Sequence, residues 1–199
     1  MGRHPQPERR AALLDACTRH VLDRGISGLS ITGLAAAAGT SARMLIYHFG
    51  TKDQLVTEVL HEARRRQQAL FGGLLQPRPG VPYPGVLRAA WRQLTGPEAM
   101  PYHRLFRELH DLPAESSPWK GFPAHATDEW LAAVTVGLRA AGYEDPRVAA
   151  TLIVAAARGL LLDLQVTSDR ERADAAFDAL IDLLTEARTS PGTRTDHEP

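Results

Sequence analysis

The chain has 199 residues, of which 44% are hydrophobic, so it can bury a sizeable core and wholesale disorder is excluded. Its 23 Lys and Arg balance 23 Asp and Glu, but unevenly: residues 1–52 carry seven basic and three acidic side chains, a net +4 that leaves −4 on the remainder. A basic head on an acidic body suits a polyanionic partner at one end only. The single cysteine, Cys17, excludes an internal disulfide and a cysteine-based zinc cluster, and its apolar neighbours mark it as packing. The N-terminus has no signal-peptide run, and no segment reads as a membrane span, so a cytoplasmic location without membrane attachment is expected.

In chain order the reading is all-α, with no alternating strand pattern. After a polar start through Pro7, Leu13, Leu14, Cys17, Val21 and Leu22 fall at helical spacing, and Gly25 ends that first helix. Ser30 caps a second helix, which Gly39 breaks. Ser41 caps a third, which ends at Gly50. Thr51 to Gln54 reads as a capping box opening a long fourth helix, Asp53 to about Leu75. The proline-rich 76–85 segment is a connector, followed by a fifth helix on Val86, Leu87, Ala90, Trp91 and Leu94. Pro101 opens a sixth; 112–121 reads as irregular; a seventh spans roughly 123–141. Asp145-Pro146 is a cap with proline at the first helical position, opening an apolar eighth helix. A ninth carries Ala176, Phe177, Leu180, Ile181, Leu183 and Leu184, and a polar, disordered tail follows from Thr189.

The third helix is the informative one. At about 100° per residue, Ser41, Ala42, Leu45 and Phe49 fall on one side. Thr40, Arg43, Met44 and Tyr47 fall opposite, with His48 at the edge. A short glycine-bearing link joins it to the helix before. That is the helix-turn-helix arrangement, whose second helix fits the DNA major groove. Ser30, Thr40 and Ser41 stand at helix starts, where hydroxyls and backbone N–H groups favour phosphate. Lys52 opposes the dipole at the start of the fourth helix, a placement that makes sense beside a phosphate. The predicted DNA-contacting set is Ser30, Thr40, Ser41, Arg43, Met44, Tyr47, His48 and Lys52.

From Ala12 to Val56 the sequence "ALLDACTRHVLDRGISGLSITGLAAAAGTSARMLIYHFGTKDQLV" resembles the DNA-binding domain of TetR-family transcriptional regulators. The resemblance rests on the first helix ending in Gly25, on Ser30, Leu34-Ala35, Ala38-Gly39 and Ser41, and on the His48-Phe49…Lys52…Leu55 signature. It covers about a quarter of the chain and implies a homodimer on a palindromic DNA operator, repressing and released by a small-molecule effector. Two positions depart from the family pattern. Ile46 stands where members commonly carry tyrosine, the aromatic being Tyr47, and Gly33 replaces a common acidic residue, weakening the local capping box.

The implied organisation is a helix-turn-helix domain over 1–52, a helical ligand-binding and dimerisation domain over 53–188, and the tail 189–199. The eighth helix is apolar over too broad a face for an outer helix, which fits a place in the core or an interface between subunits. Family dimers pair their last two long helices, so the resemblance assigns Ala156, Leu160, Leu161, Leu164, Phe177, Leu180 and Leu184 to the dimer interface. Large apolar side chains with polar groups among them suggest an effector pocket of Trp91, Tyr102, His103, Phe106, His110 and Trp130 for an apolar or aromatic molecule. His103 and His110, seven apart, have poor spacing for chelation within one helix, so no metal is expected, and no cofactor. No nucleophile–base set or phosphate-cradling glycine loop points to an enzyme. The competing classes are an enzyme and a helical adaptor without a DNA role.

Overall fold

The computed structural model describes residues 7–111 and 122–189. In chain order its helices are α1 (Pro7–Arg24), α2 (Ile31–Ala37), α3 (Ala42–Phe49), α4 (Lys52–Phe71), α5 (Tyr83–Leu94), α6 (Met100–Asp111), α7 (Phe122–Ala140), α8 (Pro146–Thr167) and α9 (Arg170–Thr189). Among the described residues there is no strand, only an isolated bridge between Arg78 and Val81. The expected disordered tail and the expected irregular segment 112–121 lie outside the described residues, apart from Thr189, which closes α9. Two helix limits differ from expectation. α4 ends at Phe71 instead of near Leu75, and α5 begins three residues early, at Tyr83. Pro84 is tolerated there because a first-turn N–H has no intrahelical partner to lose.

The contacts divide the chain into two compact units, Met1–Gly73 with Gly96–Ala126, and Leu74–Thr95 with Thr127–Pro199. The first contains α1 to α4 and α6. Its core takes Leu13, Cys17 and Val21 from α1, Leu34 and Ala35 from α2, and Leu45 and Phe49 from α3. α4 adds Leu55, Val56, Val59, Leu60 and Ala63, and α6 adds Leu105 and Leu109. The residue-52 boundary expected from sequence falls at the start of α4, and the packing of this unit runs through it. A short helix such as α2 has little stability alone, so its place depends on this shared burial. Cys17 is completely buried, and desolvation pushes its thiol up to about 11, as plain packing requires.

In the second unit, α5 lies against α9. Trp91 stacks on Phe177, with ring centroids 4.6 Å apart, and donates its Nε1–H to Asp174 at 2.7 Å. Arg88 reaches Asp178 at 3.0 Å and also bonds Asp182. Asp145 caps α8 by accepting from the Val148 N–H at 3.3 Å, with Pro146 in the first turn.

By length and composition α8 is apolar enough to cross a membrane, with mean hydropathy 1.6 over its best window, contrary to the expectation that no segment would be. It nevertheless carries Arg158 and Asp163, and it buries Ala149, Ala150, Ile153 and Leu161 within the protein. Its exposed side bears Val148, Leu152, Ala155, Gly159, Leu162 and Val166, spaced alternately by four and three residues. On α9, Ala176, Ala179 and Leu183 are likewise exposed. That alternation is the seam along which one helix packs on another.

Candidate nucleic-acid interface

Local chemistry builds the turn between α2 and α3. Ser30 is extended (φ −118°, ψ 151°), and its Oγ accepts the Gly33 N–H at 3.0 Å. At the other end Gly39 adopts φ +61°, and two bonds close the helix: Gly39 N–H to Ala36 O at 3.1 Å and Thr40 N–H to Ala35 O at 2.9 Å. This is the Schellman ending, in which a left-handed residue lets two later amides satisfy the last carbonyls. Ser41 then caps α3 through Met44 N–H at 3.2 Å. Thr51 and Gln54 form the expected reciprocal capping box, which places Lys52 at the first position of α4.

α3 is split sharply between its two sides. Leu45 and Phe49 are buried, whereas Arg43, Met44, Ile46 and Tyr47 face solvent, Ile46 at 42% and Tyr47 at 50% exposure. Four basic or apolar side chains left open on an eight-residue helix form a surface that is costly to solvate unless something covers it. Of the sequence-derived set, Arg43, Met44 and Tyr47 lie on the exposed side of α3, Ser30, Ser41 and Lys52 are exposed at helix starts, Thr40 is half-buried, and His48 is buried. It lies edge-on to Tyr47, ring centroids 5.2 Å apart, and faces the interior because it follows Leu45 by three residues. Ile46, the departure from the family pattern, is a member of the exposed surface that sequence reasoning did not include.

Three side chains that sequence reasoning did not select hold this reading head in place. Arg10 of α1 donates to Glu58 Oε2 at 2.7 Å and to the His48 carbonyl at 3.2 Å, and lies 4.6 Å over the Phe49 ring. It therefore ties α1 and α4 to the last turn of α3. Arg104 of α6 donates to Leu22 O and Asp23 O, both at 2.7 Å, and so closes the end of α1. Glu108, one turn later, accepts from the Ile26 N–H at 2.7 Å and the Ser27 N–H at 3.1 Å. Only a four-residue spacing of opposite charges marks this pair in the sequence.

The pocket residues are less united. Trp91 is buried in the second unit with its indole N–H satisfied, and Trp130 is half-buried on α7 in that unit. Tyr102 belongs to the first unit, buried and edge-on to Phe71 at 6.0 Å, its phenol raised above the usual range by burial. Phe106 packs against that unit's core, and His103 is half-buried there. The His110 side chain lies outside those described. Of the residues assigned to the dimer interface, Leu161 and Phe177 are buried within the chain, and Ala156, Leu160, Leu164, Leu180 and Leu184 are half-buried on the inward side. The exposed seams on the same two helices lie on other residues. Among the described residues no group of histidine, cysteine and carboxylate side chains could hold a metal ion.

A capped two-helix turn with a basic, aromatic outer helix defines a helix-turn-helix protein. Residues 13–59 match the family described as "Bacterial regulatory proteins, tetR family". A 60-residue stretch is 35% identical to the HTH-type transcriptional regulator BetI of Agrobacterium fabrum, covering 30% of this chain. The match spans only 29% of that relative's length. A transcriptional regulator from Rhodococcus sp. Rha1 shares the fold with TM-score 0.74 at 23% identity, over 94% of this chain and all of the other. The multidrug binding protein EbrR, solved with imidazole, aligns at TM-score 0.67 and 25% identity over 97% of this chain and 96% of its own. Residues 13–59 are thus similar to the DNA-binding domain of TetR-family regulators, and the chain shares its fold over nearly its whole length with solved transcriptional regulators.

Proposed function

We propose that the protein is a cytoplasmic repressor that binds a palindromic operator as a homodimer and is released by a small apolar or aromatic effector. The observation that carries this reading is the open face of α3. Arg43, Met44, Ile46 and Tyr47 lie outside a helix whose other side is locked into the core. A major groove about 12 Å wide admits such a helix, and Arg43 can donate bidentately to guanine O6 and N7. Ser30 and Ser41 each use an oxygen lone pair on their own helix, which leaves their O–H groups to donate to phosphate. Lys52 and Thr40 extend that phosphate track, while the burial of His48 gives it a positioning role beneath Tyr47. The exposed seams of α8 and α9 support pairing with a second copy. Trp130, half-buried, is the pocket residue we assign to effector contact, and EbrR, a fold relative, binds multiple drugs by its name.

One operator-binding experiment tests the DNA reading. In a salt titration the slope of log K against log salt falls by roughly one on Lys52→Ala, with all sequences weakened alike. Arg43→Ala instead relaxes preference at one base pair per half-site, by about 1–3 kcal/mol. Equal affinity of the unsubstituted protein for operator and random duplex at all salt concentrations would refute sequence-specific binding.

A further inference from the structure

The second unit carries a cleft of about 300 Å³ where the entry to α5 meets the ends of α7 and α9. Pro82, Tyr83 and Pro84 form one wall, Ala140 and Tyr143 the other, and Arg188 stands at its edge. The floor is fixed. Tyr83 is buried and donates its hydroxyl to Leu75 O at 3.2 Å, and its ring lies so close to Gly137 that any Cβ there would collide with it. Arg188 is held at two points: it donates to Ala141 O at 3.0 Å, and its guanidinium lies 5.5 Å from the Tyr143 ring centroid. Tyr143 is itself braced against the Thr185 hydroxyl at 3.4 Å. One of the guanidinium's five N–H donors is thus used on the protein, and among the described residues no carboxylate lines the cleft.

We propose that this cleft binds a small carboxylate with a flat aromatic body, its carboxylate paired with Arg188 and its ring between the proline wall and Tyr143. The charge assignment follows from the lining, which among the described residues offers one cation and no anion. The guanidinium fork matches a carboxylate in two parallel hydrogen bonds, which a neutral amide cannot reproduce. Proline and tyrosine rings supply flat apolar walls, and the volume is at the lower end for ligand sites, which sets the size at about one substituted ring. None of these residues lies on α2, α3 or the start of α4, so the site stands whether or not the DNA reading does.

Benzoate is the probe and benzamide its neutral match, titrated by calorimetry into the full chain. Benzoate binds saturably with Kd of about 1 mM or tighter, and benzamide at least about tenfold more weakly. Arg188→Gln reduces benzoate affinity about tenfold. Ala140→Trp fills the cleft from an exposed α7 position, so it abolishes binding while the melting curve and sedimentation coefficient stay unchanged. This second variant decides the matter if Arg188→Gln proves unstable. Three results overturn the proposal: no saturable benzoate binding, equal affinity for benzoate and benzamide, or benzoate binding that survives Ala140→Trp. A change of oligomeric state in Ala140→Trp would also overturn it, because the cleft would then be a contact between copies.

Discussion

Glu62 stands on α4 with most of its side chain covered and two arginines on its carboxylate. Arg65 donates to it at 2.7 Å and Arg66 at 2.8 Å, and Arg66 also reaches Asp15 of α1 at 2.7 Å. The hydrogen bond from Arg65 is the largest influence on its ionisation. Burial opposes it and Arg66 adds to it, and the net effect lowers the pKa from 4.5 to about 2. The folded chain therefore favours the ionised form. That contribution to stability is whole above about pH 4.5 and is lost as the pH falls towards 2. In Glu62→Gln the loss is present at every pH. Urea midpoints of the two proteins are thus expected to differ most near neutrality and to converge as pH approaches 2. Midpoints that stay apart by a constant amount would show that the carboxylate's ionisation does not stabilise the α1–α4 pairing.

The turn between α1 and α2 shows what elements demand of one another. Gly25 has φ +81°, and a Cβ there would run into the Glu108 carboxylate, so glycine is required both by the backbone and by its neighbour. Glu108 accepts two successive backbone N–H groups that no helix satisfies, and Arg104 takes the carbonyls just before them. Glu108→Ala leaves the part-buried Ile26 N–H unpaired, at about 1–3 kcal/mol, while the exposed Ser27 N–H turns to water. Hydrogen exchange at Ile26 and Ser27 is expected to quicken well beyond that at Leu45 and Leu60. Exchange unchanged at those two amides would show that the turn holds itself. The caps at Ser30, Ser41 and Thr51 were legible in the sequence because each partner lies three residues away. The Glu108 clamp was not, because its partners are 81 and 82 residues distant and glutamate on a helix has many bland uses. His48 was placed at the edge of the α3 wheel, and burial decided it inward.

At the scale of the molecule, α8 shows where periodicity stops informing. Its sequence is apolar nearly all round, so spacing could not separate the face that packs within the chain from a face left for a partner. The packing separates them. Ile153 and Leu161 are buried, while Leu152 and Leu162, one residue away from each, are 49% and 47% exposed. Gly159 lies on the exposed seam, and a Cβ there would touch nothing in the chain. Glycine within a helix costs about 1 kcal/mol against alanine, a cost with a reason if another helix approaches closely at that point. The interface we expect is therefore Leu152, Ala155, Gly159 and Leu162 with Leu183 of α9, not the inward residues assigned from the family resemblance. Leu162→Asp is expected to give a folded monomer by sedimentation and circular dichroism. Leu161→Asp buries a carboxylate and is expected to unfold the second unit instead. A monomer holds a single α3, and half-sites of a palindrome lie about 34–36 Å apart, or a multiple of that, so Leu162→Asp should also lose tight operator binding. If Leu162→Asp remains a dimer that binds operator as before, the α8 seam is not the subunit interface.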